Sequence, residues 1–236
     1  MSFDFVFMLK VIRIAAARIP ATLIVATIPL LIGCIIGLPI ALARFFRVRI
    51  LSSFLKWTVT ILKGIPVVLF LLTFYVLIGR YFDVVMQYFH INFGFKDLNK
   101  GLIVVAALSI PACVSLSEVF RGALASVKNG QFDAAYSIGH SRNAALWRII
   151  LPQAFPVSLP MICNMYIGFV KAASLASMVS VIDVLNAAII AATMNYRYLE
   201  AYVAAALIYW LLCVVIERIF IFLEKWFGKK IREAAV

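Results

Sequence analysis

The stretch Asp133–Pro152, DAAYSIGHSRNAALWRIILP, is a polar and basic interruption between two long apolar runs, and we call it the knob. Its leading carboxylate favours a helix start, because negative charge is stabilised at a helix N-terminus. Gly139 permits a turn, and Ser141 can cap a second helix over 142–150. The closing Leu-Pro pair is predicted to end that helix, because a residue before proline disfavours the helical region. The pattern predicts two short helices joined by a turn, a shape that suits a groove on a soluble partner.

The composition on either side of the knob is that of an integral membrane protein. Of the 236 residues, 65% are hydrophobic, well above the share found in soluble domains. The uncharged run 19–43, between Arg18 and Arg44, exceeds the roughly 20 residues that a spanning helix needs. It is too long for a signal peptide, and its proline-rich end does not resemble a cleavage site.

Five apolar runs predict five transmembrane helices, so the predicted fold class is all-α and integral to the membrane. We place the spans at 19–43, 57–79, 101–117, 155–170 and 200–223. Residues 1–18 predict an amphipathic segment, and 80–100 an external loop with a short interfacial helix. Residues 171–194 predict the end of the fourth span, a turn and a short helix near the outer surface. A basic tail, 224–236, completes this single transmembrane domain.

The second span has two alternative starts, because Lys63, Gly64 and Pro66 lie near its beginning. A charge and two helix breakers inside a span require protein or water beside them. Alternatively, the span starts at Ile65, and Lys63 extends toward the interface.

Two short-range patterns predict contacts inside the bundle. Gly33 and Gly37 form a small-xxx-small pair, which lets a neighbouring helix approach closely. Glu118 and Arg121 are one helical turn apart and are expected to pair.

Basic residues predict the orientation, since cytoplasmic loops are enriched in lysine and arginine. A cytoplasmic C-terminus places the larger basic group on that side, namely Arg44, Arg47, Arg49, Lys56, Arg142, Arg148, Lys225, Lys229, Lys230 and Arg232. Five spans then put the N-terminus outside and the knob in the cytoplasm. The net charge of +12 follows from this bias, and we expect no nucleic-acid binding.

The sequence contains no pattern typical of an enzyme or a metal site. A P-loop, H-E-x-x-H and G-x-S-x-G are all missing, and the cysteines are scattered singly in apolar runs. Acidic residues within the spans are few, which disfavours a proton-coupled pathway. We therefore expect no cofactor in this chain, and any nucleotide hydrolysis that it depends on would take place in another chain.

Six motifs resemble, in order, those of ABC-importer permeases of the polar amino acid family. In the knob, the spacing of Asp133-Ala134-Ala135, Gly139 and Leu151-Pro152 resembles the EAA loop, with aspartate in place of glutamate. The others are K-G-I-P at 63–66, E-V-F-R-G at 118–122, G-Q-F-D-A-A at 130–135, L-P-Q-A at 151–154 and K-A-A-S-L at 171–175. The resemblance covers residue 19 onward and implies the type I ABC-importer permease fold with a cytoplasmic coupling helix-turn-helix.

The resemblance implies a transport subunit in a bacterial cell membrane and not an enzyme. In that family two permease chains, identical or different, sit on two cytoplasmic ATPase subunits that bind ATP and Mg²⁺. An extracytoplasmic binding protein delivers the amino acid. The residues expected to couple this chain to the ATPase are Asp133, Ala134, Ala135, Gly139 and Arg142. The alternative is a secondary amino-acid transporter, but that class has inverted repeats and intramembrane acidic residues, which we do not find.

The candidate substrate-path residues are polar side chains near or within the apolar runs, namely Lys63, Asn164, Lys171, Ser174 and Ser177. The last three lie on or near one helical face, with the asparagine about two turns away. Two interpretations of Lys171 stand: it attracts the carboxylate of an amino acid, or it is an ordinary lysine at the membrane edge.

The substrate class follows from a departure from the family. Ala172 and Ala173 stand where the family carries Asp and Thr, so a partner for a cationic side chain is missing. The segment 205–227 also resembles cystine-importer permeases. We expect an amino acid with no net charge, such as L-cystine, in preference to arginine, lysine or histidine.

Overall fold

The computed structural model describes residues 3–128 and 130–234, with side chains through 229, and this part of the chain consists of helices and connecting loops. The α-helices are α1 (Phe5–Ala16), α2 (Ile19–Phe45), α3 (Arg49–Lys63), α4 (Val67–Tyr88), α5 (Lys100–Ser126), α6 (Gly130–Ser137), α7 (Arg142–Ala145), α8 (Leu151–Ala173), α9 (Val184–Ala192) and α10 (Tyr198–Ala234). A π-helical turn covers Leu146–Ile150, and 3₁₀ turns cover Phe95–Asp97 and Ser174–Val179.

Among the described residues, five helical stretches are long and apolar enough to cross a membrane, which confirms the predicted number of spans. They are Ile19–Phe45, Val67–Tyr88, Lys100–Ser126, Arg142–Val179 and Tyr198–Lys229. α9 lies between the fourth and fifth spans, as predicted, and is too short to cross.

The centre of the core is the contact between α2 and α5. A Cβ added to Gly33 would lie 2.7 Å from Leu116 Cδ1, and one added to Gly37 would lie 2.9 Å from the backbone nitrogen of Ser117. The two helices approach closely because these glycines carry no side chain, which confirms the prediction made from the small-residue pair. α4 packs on α5, α8 packs on both helices of this pair, and α10 packs on α8, which extends the apolar core.

The predicted start of the second span inside a charged segment is wrong. α3 ends at Lys63 and α4 begins at Val67, because Pro66 cannot donate a helical hydrogen bond and Ile65 precedes it. The alternative start at Ile65, which leaves Lys63 outside the span, is closer to the structure. The helix begins two residues later still, at Val67.

The first part of the predicted external loop at 80–100 is helix, because α4 continues to Tyr88. Its charged residues are tolerated there, since Asp83 accepts a hydrogen bond from the Phe95 backbone nitrogen at 2.6 Å. The interfacial helix is reduced to the single 3₁₀ turn at Phe95–Asp97.

The third and fifth spans are longer than predicted. α5 continues past Glu118 to Ser126, because Glu118 is ion-paired within the bundle. α10 continues through the predicted basic tail as far as Ala234.

The predicted amphipathic segment at the N-terminus is α1, which packs Val11 and Ala15 against α9 and α10. An ion cluster that the sequence did not reveal fixes this helix. Arg197 lies 3.4 Å from Asp4 and 3.1 Å from Glu200, and the Asp4 backbone N–H donates to the Glu200 carboxylate at 3.1 Å.

Candidate functional site

The first helix of the knob ends in a left-handed turn at the predicted glycine. Gly139 has φ +84°, its N–H donates to Tyr136 O at 2.9 Å, and the His140 N–H donates to Ala135 O at 3.0 Å. This pair of bonds is the Schellman motif, which favours glycine because other residues are strained at positive φ. The helix starts at Gly130, so the predicted helix-starting residue, Asp133, lies in its first turn.

The second helix of the knob begins as predicted but does not end where predicted. Ser141 caps it, with its hydroxyl oxygen accepting from the Ala144 N–H at 3.3 Å. The expected stop at Pro152 is wrong, because α7 passes through the π turn directly into α8. The N–H of Leu151 donates to Leu146 O across that wider turn, and Pro152 then occupies the first turn of α8, where its missing N–H costs little.

Aromatic contacts attach the knob to the end of α2. The Phe132 ring lies 6.4 Å from the Phe45 ring, 6.2 Å from the Phe46 ring and 6.1 Å from the Tyr136 ring. The guanidinium carbon of Arg142 lies 4.1 Å from the centre of the Phe46 ring, a cation–π arrangement. The sequence did not predict the contacts of Phe132 with Phe45 and Phe46.

The coupling candidates differ in exposure. Asp133, Ala134, Gly139 and Arg142 are exposed, whereas Ala135 is buried. Ala135 is therefore a packing residue of α6, which contacts α7 and the π turn, and the other four residues are available to a partner.

A charged cluster lies beside the knob end of the bundle. Arg44 on α2 and Arg121 on α5 both contact the Glu118 carboxylate, the latter at 3.0 Å, which confirms the predicted pair and adds a long-range partner. Lys63 and Lys56 line a polar pocket of about 410 Å³ next to this cluster.

The structure brings together four of the five substrate-path candidates. Asn164 and Lys171 are exposed and lie two turns apart on α8. The Ser174 hydroxyl donates to Lys171 O, and the Ser177 hydroxyl donates to Ser174 O, each at 2.7 Å. Lys63 is not part of this group: the start of α8 packs at the charged end of the bundle, and Lys171 lies about 30 Å further along the helix.

A buried carboxylate, Asp183, caps and anchors the short helix α9. Asp183 accepts hydrogen bonds from the Asn186 N–H and the Tyr209 hydroxyl, both at 2.8 Å. Burial raises the pKa of the Asp183 carboxyl, and these two donors oppose that shift. The Val184 N–H donates to the Thr22 hydroxyl at 3.2 Å, so α2, α9 and α10 meet at this point.

No group of three histidine, cysteine, aspartate or glutamate side chains is arranged to hold a metal ion within the part of the chain that the structure describes.

Comparison with known proteins agrees with this architecture. Residues 14–229 match the family described as "Binding-protein-dependent transport system inner membrane component". Among curated relatives, the probable amino-acid ABC transporter permease YckA of Bacillus subtilis is 30% identical over 82% of this chain and 80% of its own length. The L-cystine transport system permease TcyB of the same organism is 33% identical over 81% and 79%.

A solved structure has the same fold over nearly the whole chain. It is the crystal structure of an amino acid ABC transporter with histidines, with a TM-score of 0.79 and 25% identity, covering 95% of this chain and 99% of that one. The family match, the five spans and the knob between the third and fourth spans agree. The chain belongs to the family of binding-protein-dependent transport system inner membrane components, and it is a non-enzymatic permease subunit of an amino-acid ABC importer.

Proposed function

We propose that the knob is the contact through which a pair of cytoplasmic ATPase subunits opens and closes an amino-acid path through this chain. The observation that carries the proposal is the attachment of the knob to two spans. Its second helix continues without a break into α8, and Phe132 and Arg142 pack on the end of α2. A displacement of the knob would therefore move both helices, which is how a rigid element couples two remote sites.

The proposed assembly contains two permease chains, identical or different, two ATPase subunits that supply ATP and Mg²⁺ chemistry, and an extracytoplasmic binding protein. We orient the knob and the C-terminus toward the cytoplasm, with the N-terminus outside. Copurification with a P-loop ATPase tests the assembly directly. A chain that catalyses uptake in proteoliposomes without any ATPase would instead be the secondary transporter that was the alternative from the sequence.

We also propose that the transported amino acid carries no net charge, with L-cystine as the candidate. Lys171 is exposed beside Ser174, so it is available to a carboxylate. Ala172 and Ala173 offer no carboxylate to balance a cationic side chain, and an unbalanced charge in an apolar path is costly. The relative TcyB, an L-cystine permease that is 33% identical to this chain, supports cystine as the candidate. The solved structure of an amino acid ABC transporter with histidines is less similar, at 25% identity.

Competition for uptake separates these ligands. In proteoliposomes with the binding protein and the ATPase, excess arginine or histidine is expected to leave cystine uptake unchanged. The Ala172→Asp variant is expected to impair cystine uptake, and the binding protein serves as an internal control because it is the same in both preparations. Good uptake of arginine and poor uptake of cystine by the parent complex would refute the substrate proposal and leave the coupling proposal intact.

A further inference from the structure

The helix α3 carries its charged residues on one face. Arg49, Lys56 and Lys63 recur every seven residues, which is close to two helical turns, so they lie on the same side. The serines of α3 and Thr60 fall in the same arc, and α3 contains no acidic residue. A helix with one basic and one apolar face is typical of segments that lie on a membrane surface.

The apolar face of α3 is uncovered by the rest of the chain. Ile50 and Trp57 expose 86% and 68% of their surface, and Phe54 and Ile61 beside them are also exposed. Val59 is the one buried residue of this helix, so α3 contacts α2 and α5 through a narrow third face. A continuous exposed face of this kind marks an interaction site.

The basic face borders the polar pocket of about 410 Å³ described above. Lys56 and Lys63 line it together with Arg44, Glu118 and residues of the last turn of α3. Glu118 is already paired with two arginines. Among the described residues neither lysine forms an ion pair, so the pocket carries an excess of positive charge that favours an anion.

We propose that α3 lies on the membrane surface and that its basic pocket holds the phosphate of an anionic phospholipid. The acyl chains of that lipid would lie along the face formed by Phe54 and Trp57. The positive charge of the pocket complements the negative headgroup, and a membrane supplies both the charge and the apolar surface that this helix requires. Lys63 is thereby assigned to lipid binding and not to the substrate path.

A second copy of the chain fits this face less well. In a two-fold interface the same patch of both chains meets. The basic faces of the two α3 helices would then approach each other. Because α3 contains no acidic residue to balance them, the like charges would oppose binding. The proposal is independent of the transported amino acid and of the coupling role of the knob.

Native mass spectrometry of the purified full-length chain, with phosphatidylglycerol or phosphatidylcholine added, tests the site. We expect preferential retention of phosphatidylglycerol. Each lysine near an anionic headgroup changes affinity by roughly fivefold, so the Lys56→Gln/Lys63→Gln double variant should lose roughly 25-fold and Lys56→Gln alone roughly fivefold. The matched control is Lys128→Gln, an exposed lysine in the loop after α5, which should bind as the parent does.

Three results would overturn the proposal. One is equal retention of the two lipids, or retention that the double variant does not reduce. Another is binding of inorganic phosphate alone with displacement of phosphatidylglycerol, which would make the pocket a site for free phosphate. The third is an efficient disulfide between two copies of a Phe54→Cys variant lacking the native cysteines, which would show that a second chain covers this face.

Discussion

Arg44 in the last turn of α2 is ion-paired with Glu118 on α5, although 74 positions separate them in the sequence. The same carboxylate holds Arg121 from its own helix. Glu118 therefore joins the two central helices near the end of the bundle that carries the knob, and a carboxylate within a long apolar helix is tolerated because two cations neutralise it.

The first prediction compares the two arginine partners of Glu118. Arg44→Gln should lower the free energy of unfolding by about 2 kcal/mol, because the pair is partly buried and its loss leaves a carboxylate with one partner. Arg121→Gln should cost less than about 1 kcal/mol, since its side chain is 42% exposed, against 11% for Arg44. Unfolding in mixed SDS micelles measures both, and equal losses would contradict the assigned geometry.

The second prediction concerns the contact between α2 and α5. Gly37→Ala should destabilise the chain by roughly 1–3 kcal/mol, because the new methyl group would meet the α5 backbone and no flexible side chain is available to move. Gly168→Ala on α8 is the matched control: its added Cβ meets nothing within 4 Å, and alanine is the better helix former. A Gly37→Ala variant as stable as the control would refute the close approach.

The third prediction uses the raised pKa of Asp183. A carboxyl whose pKa is higher in the folded state binds its proton more tightly there, so this group adds most stability at low pH. That contribution should decline as pH rises from the ordinary carboxyl pKa of about 3.9 through the raised pKa of Asp183. Asp183→Asn keeps a similar shape without ionising, so its unfolding free energy should lack this decline. Identical pH profiles for the parent and the variant would show that Asp183 does not contribute.

The fourth prediction tests orientation, in a background without the four native cysteines. Asn143→Cys in the knob should react with an impermeant maleimide from the cytoplasmic side. Asn92→Cys, in the loop after α4, should react from the opposite side. The single span α5 connects this loop to the knob, so the loop and the knob must lie on opposite sides of the membrane. Labelling of both positions from the same side would refute the topology.

Local patterns in the sequence predicted much of this fold. Long apolar runs indicated the five spans because a membrane-spanning helix must satisfy its own backbone hydrogen bonds. Gly139 and Ser141 were correctly placed in a turn and a cap, since both roles depend on neighbouring residues alone. Gly33 and Gly37 predicted a close helix contact, but the pattern did not identify α5 as the partner.

The incorrect predictions were made where a rule based on neighbouring residues was overridden by the structure around them. Pro152 indicated a helix end, yet the π turn before it shifts the hydrogen bonds so that the helix continues and Pro152 falls in the first turn of α8. The pairs that join distant parts of the chain, such as Arg44 with Glu118 and Asp183 with Tyr209, could not be predicted from one sequence. Their partners are adjacent only after the bundle has packed.

The central claim is that the knob couples nucleotide hydrolysis to transport, and Gly139 offers the sharpest test. Gly139→Val should disturb the turn, because a β-branched residue is strained at φ +84°, while the spans remain intact. Gly139→Asn is the matched control at the same position, since asparagine tolerates left-handed backbone.

The measurement is the amount of amino acid transported per ATP hydrolysed in proteoliposomes that contain the ATPase and the binding protein. We predict that Gly139→Val inserts into the membrane normally but lowers this ratio strongly, with Gly139→Asn close to the parent. A Gly139→Val complex with full transport and full substrate-stimulated hydrolysis would contradict the account.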